Sequence, residues 1–274
     1  MTYKTILLHV DAEPRAAARL ELAIVLARRF DAHLIGLYVP QRVPFPLQVE
    51  IDPLIAEHRE RTAAKVEAGA QAQFRQATAA AGLGSAEWRA DSAGRVDTIA
   101  LHARYADLLI LGQRDPSEKW ASGCDFADEV LLAGGRPVLV VPYAGSFKTT
   151  GNRVLVAWNA SREAARAVTD AIPLLREAAA VRVITINPRA GRHGEIPGAD
   201  VGLYLARHGV RVEVSRDDAE SIDIGNELLS RAADFQADLI VMGAYGHWRL
   251  KELVMGGATR TIIDSMTVPV LLSH

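Results

Sequence analysis

Residues 237–243 read ADLIVMG, and residues 106–112 read ADLLILG. In each, an acid and an apolar run with no polar alternation end at a glycine, the pattern of a strand buried on both faces of a parallel sheet. Two further places recur in the same order. Ile6 to Val10 followed by Asp11 is matched by Val154 to Trp158 followed by Asn159, each leading into an alanine-rich amphipathic stretch. Arg136-Pro137 before an apolar run ending at Val141 is matched by Val268-Pro269 before Val270 to Leu272. Three ordered matches indicate a duplicated unit. The boundary falls between Tyr143 and Asn152, a small, polar, glycine-bearing segment, so the expected domains are 1–145 and 151–274.

Periodicity within the first half predicts strands at 4–10, 33–39, 87–90, 107–111 and 138–141, with helices at 14–30, 53–81, 95–105 and 125–133. The second half repeats the alternation. Its strands are expected at 153–158, 181–187 and 210–215, its helices at 162–178, 199–208 and 221–235, and the terminal strand, glycine loop, helix and strand close it. Regular alternation of strand and helix calls for an α/β fold: two tandem doubly wound, five-stranded parallel sheets covered by helices on both faces. The last strands, 138–141 and 268–272, are expected edges through which the halves or two chains pair, giving an internal pseudo-dimer or a homodimer.

Composition narrows the function classes. A net charge of −2 without a long run of one sign gives no reason to expect nucleic acid or an anionic membrane as partner. The single cysteine, Cys124, excludes an intramolecular disulfide framework and fits a reducing compartment. The apolar run before Asp11 is too short for a signal segment, so a cytoplasmic location is expected. The eight histidines show no compact ligand spacing, and no metal site is expected.

In a doubly wound sheet the ligand crevice lies at the carboxyl ends of the strands where the winding reverses. If the first and fourth strands of the second half are neighbours, Asn159, Ala160 and Ser161 face the Gly243–Gly246 loop there. A further nine residues lead to Gly256 and Gly257, which open a helical pattern. Glycines admit close backbone approach, and free first-turn N–H groups with the helix dipole favour an anion. No P-loop signature and no glycine-rich dinucleotide fingerprint occurs.

Gly243, two residues, Gly246, nine residues and Gly256, followed by a helix and the run Val268-Pro269-Val270, resembles the universal stress protein family, in two copies that cover the whole chain. The resemblance implies an ATP site, with or without Mg²⁺, and a stress-response role exerted through an unknown protein partner. It carries binding onto Gly243, Gly246, Gly256 and the neighbouring His247, Ala258 and Thr259. Gly257 departs from the family's hydroxyl residue, leaving its backbone N–H as a donor. The family's first-strand acid maps to Asp11 and to Asn159. The copy at Gly112 is degenerate: Gln113, Arg114 and Asp115 follow, Gly123 comes two residues early, and Cys124 takes the hydroxyl position. This half is therefore expected not to bind ATP in the family's manner.

Simpler readings stand beside these. The glycines serve turns and caps equally well, Asn159, Ser161 and Asp11 fit ordinary helix N-caps, and Arg249 and Lys251 fit a solvated surface turn. No activated nucleophile with a paired base is visible, so no catalytic residue is assigned. Three functions remain open: an ATP-binding regulator, a scaffold or small-ligand protein without nucleotide, and a slow ATPase.

Overall fold

A computed structural model describes residues 2–12, 15–40, 53–91, 95–115, 125–188, 196–219, 223–245 and 257–274. The expected helix starts at Pro14 and Ser221 lie outside these residues, as do Gly123 and Cys124.

The first half runs β1 (Thr5–Val10), α1 (Ala16–Phe30), β2 (His33–Tyr38), α2 (Pro53–Ala80), β3 (Ala86–Ala90), α3 (Arg95–Ala103), β4 (Leu108–Gly112), α4 (Asp125–Gly134) and β5 (Val138–Val141). The second runs β6 (Arg153–Ala157), α5 (Arg162–Glu177), β7 (Ala180–Ile186), α6 (Ala199–Arg207), β8 (Val212–Asp217), α7 (Ile224–Asp234), β9 (Leu239–Gly243), α8 (Gly257–Ser265) and β10 (Val270–Ser273). The strand order is β3-β2-β1-β4-β5-β10-β9-β6-β7-β8, so the two halves form one ten-stranded sheet. Within each half every pairing is parallel. The halves meet through β5 and β10, which run antiparallel with Leu139 opposite Leu271.

Alternation along the strands sends side chains to two cores. Ile6, Leu8, Leu108, Val154 and Val241 pack on one face. Leu7, Leu109, Leu155, Ile240 and Val270 pack on the other. The first face is covered by α1, α2, α5 and α6, the second by α3, α4, α7 and α8, and each core runs unbroken across the β5–β10 seam.

The repeated Ala-Asp pair has a structural cause. Asp107 accepts the backbone N–H groups of Lys4 and Thr5 at 2.7 and 3.0 Å, and Asp238 accepts those of Gly151, Asn152 and Arg153 at 2.8–3.1 Å. A carboxylate before the fourth strand thus fixes the start of the first, through charge-assisted bonds stronger than neutral ones. Strand β8 begins two residues after its expected start at Val210. The Val210 N–H instead bonds the Leu205 carbonyl at 3.1 Å, and Gly209 at φ 80° turns the chain, so both residues belong to the end of α6.

The seam is sealed by Gln113, which is 4% exposed. Its Nε2 donates to the Ile263 and Asp264 carbonyls at 2.7 and 3.2 Å, and its Oε1 accepts from Tyr143 N at 3.1 Å. The last carbonyls of a helix have no intrahelical partner. Gln113 of one half thus supplies the missing donor at the end of α8 in the other. Gln113→Leu keeps bulk but orphans these groups, and urea denaturation should show a loss of about 1–3 kcal/mol. An unchanged midpoint would show that Gln113 contributes nothing to the stability of the seam.

Candidate functional site

Strand β6 lies between β9 and β7, and β1 between β4 and β2, so the order reverses at the β6–β9 and β1–β4 boundaries. The carboxyl ends of β6 and β9 bring Asn159 to Ser161 beside Gly243 to Tyr245. Gly246, His247 and Gly256 lie outside the described residues; Gly257, Ala258 and Thr259 form the first turn of α8.

Each described residue has a local cause. Ser161 caps α5 by accepting from Ala164 N at 3.1 Å. Asn159 Oδ1 accepts from Ser161 N at 3.1 Å, an Asx turn that shapes the approach to the helix. Ala160 between them has φ 55°. Tyr245, just past β9, has φ 60°. Left-handed backbone at residues with a Cβ is uncommon and costs free energy. Two such residues therefore flank one strand-end crevice.

Gly243 has a packing role. A Cβ built there would lie 2.5 Å from the Glu163 carbonyl carbon and 2.9 Å from Ala164 Cα, atoms of the first turn of α5. Only a hydrogen lets the helix come this close to the strand. The N-terminus of α5 is thereby pinned at the carboxyl end of β9, where its dipole acts on the crevice.

Sequence reasoning missed several neighbours. Glu163, 4% exposed, lies in that first turn; burial opposes its ionisation, yet bonds from Arg162, backbone and Ser161 hold its carboxyl below the ordinary range. Asp223 caps α7, accepting from Gly225 N at 3.0 Å, and its Oδ1 lies 3.9 Å from where a Gly257 Cβ would be. His274 Nδ1 donates to the Ala244 carbonyl at 3.1 Å, holding the Tyr245 turn against β10. An acid at an N-cap or in a helix's first turn reads as ordinary capping or dipole complementarity, so the sequence carries no separate signal for Asp223 or Glu163. Thr259 is 5% exposed.

The first half differs at the matching place. The sequence suggests Asp11 as a cap for α1, but that helix starts at Ala16 with no side-chain cap. Asp11 pairs instead with Arg19 at 2.5 Å. His9 Nδ1 lies 3.7 Å from the same carboxylate. The Arg19 guanidinium carbon would lie 2.8 Å from a Cβ at Gly112. Among the described residues no cluster of three or more His, Cys, Asp or Glu is arranged to hold a metal ion, and no helix is long and apolar enough to cross a membrane.

Against known proteins, the model of the universal stress protein family matches residues 2–142 and again 151–274. The chain belongs to the universal stress protein family, as a tandem member. A curated relative, universal stress protein Slr1230 of Synechocystis sp., is 28% identical over 174 residues, spanning 60% of this chain and 57% of that protein. Among solved structures, a universal stress protein from Archaeoglobus fulgidus matches 98% of this chain and 95% of its own at 19% identity, with a TM-score of 0.72. A functionally unknown protein from Pseudomonas aeruginosa PAO1 matches 99% and 92% at 17% identity, with a TM-score of 0.59. These structures share the fold.

The packing at Gly243 has a measurable consequence. Gly243→Ala forces the backbone of α5 away from β9, and overpacking of this kind costs about 1–3 kcal/mol. Chemical denaturation should register the loss. A variant as stable as the parent would contradict the packing role.

Proposed function

We propose that the chain is a stress-response protein that binds ATP, with or without Mg²⁺, in the second-half crevice, and acts through regulation of a partner. The observation that carries the reading is the meeting of two features. The Gly243, Gly246, Gly256 spacing joins the end of β9 to the start of α8. The strained Ala160 and Tyr245 stand at the ends of the strands flanking that crevice.

In this reading Asn159 and the backbone at Ala160 and Ser161 face the nucleoside, and the glycine loop with His247 surrounds the phosphates. The first-turn N–H groups of Gly257, Ala258 and Thr259 receive the terminal phosphate. The α5 N-terminus adds a second favourable dipole. The first half, 1–145, serves as a structural partner to the second, 151–274. A cytoplasmic site of action and a homodimer belong to the same proposal.

A second reading, a scaffold or small-ligand protein without nucleotide, is favoured by Asp223 beside Gly257 and by the buried carboxylate of Glu163. Both oppose an anion, and Mg²⁺ carried with ATP would offset them. Slow hydrolysis by a metal-activated water is the third reading, decided by a turnover assay on the same preparation.

Gly257 is exposed at the first position of α8, so Gly257→Asp adds an acid that the helix itself tolerates well. Calorimetric titration with ATP and Mg²⁺ should give a saturable heat for the parent. Gly257→Asp should bind more weakly by on the order of tenfold, the equivalent of about 1.4 kcal/mol. No heat for the parent would favour the scaffold.

A further inference from the structure

The first half contains a charged group with no counterpart in the second. Arg19 lies in the second turn of α1 and is 2% exposed, among the largest fully buried side chains in the molecule. Burying a guanidinium is costly unless a carboxylate answers it. The answer is Asp11, one residue past β1, at 2.5 Å. From there the guanidinium reaches across the reversal point to β4, where its carbon and Cδ would stand 2.8 and 3.1 Å from a Cβ at Gly112. His9, 1% exposed, lies beside the same carboxylate, with its ring 5.5 Å from that of Phe126.

In the second half the matching space above Gly243 is filled by the first turn of α5, at Glu163 and Ala164. Counting from the strand-end residues, α5 begins three positions after Asn159, whereas α1 begins five after Asp11. The later start of α1 leaves a gap, and Arg19 occupies it. Ala167 stands at the position of Arg19, and Asn159 at that of Asp11, so neither the cation nor the acid is present there.

We propose that the strand-end crevice of the first half is a guanidinium site occupied from within the chain: Arg19 fills the space left by the shortened start of α1 and consumes Asp11, the acid at the end of β1. A guanidinium is more weakly hydrated than an ammonium, so it is the cation better suited to a buried pair with a carboxylate. The resident side chain closes this crevice to an external ligand. A Cβ at Gly112 would displace the guanidinium from its place beside Asp11. The further consequence, a single nucleotide per chain, rests on the proposed ATP reading; the guanidinium site does not.

Arg19→Ala should leave a void facing Asp11 and lower the melting temperature by on the order of 10 °C. Millimolar methylguanidinium should raise the melting temperature of Arg19→Ala, with methylammonium ineffective, while the parent and Arg19→Met respond to neither. If Arg19→Ala does not fold alone, recovery of folded protein on refolding in methylguanidinium is the supporting result. Absence of rescue, or an equal response in all three proteins, overturns the proposal. This test needs no nucleotide, so it stands if the parent binds no ATP. Two ATP per parent chain would overturn the closure of the first crevice while leaving ATP binding intact.

Discussion

The antiparallel pairing of β5 with β10 is the contact on which the rest depends. Each half is a five-stranded parallel sheet whose fifth strand would otherwise present an unpaired edge. Joining these edges satisfies both ladders with one set of hydrogen bonds and lets each apolar face run continuously through ten strands. It also brings the residue after β4 within reach of α8 in the other half, where Gln113 bonds its final carbonyls. Ala244, the matching residue of the second half, is buried and bonds only through its backbone, whereas Gln113 adds a buried amide that bridges the halves.

The two halves differ in the length of their second helix, α2 against α6, and in the chemistry at the reversal point of each sheet. The clamps at Asp107 and Asp238 are retained, because every copy of the fold needs its first and fourth strands in register. Retained also is the glycine ending the fourth strand, though for different neighbours: the backbone of α5 over Gly243 and the guanidinium of Arg19 over Gly112. Where the helix comes close, its N-terminal dipole is aimed at the crevice. Where it stands back, a charged side chain occupies the room. A duplicated fold can thus keep its packing glycine while a free helix dipole at one strand end is replaced by a cation already paired with Asp11 at the other.

Much of this is legible in the sequence. The buried runs at 106–112 and 237–243, repeated with their acids, define parallel central strands, and the chain order of helices and strands follows from periodicity. The β8 start is displaced because Val210 continues an apolar alternation yet is drawn into the turn ending α6. The role of Asp11 is hidden for another reason. An acid shortly before a helix reads as a cap, and its partner, eight residues on, lies on the inward face of that helix, where an arginine breaks the apolar pattern without announcing its partner. Glu163 and Asp223 are hidden likewise, since their importance comes from which strand end they approach. The Gly243 spacing is visible, but its packing role needs the position of α5.

The central claim is asymmetry: one adenine nucleotide in the second half and none in the first. Native mass spectrometry of the full chain with ATP and Mg²⁺ tests it most directly. The account predicts a mass increase of one ATP per chain that saturates there, and saturation at two, or no increase at all, would contradict it.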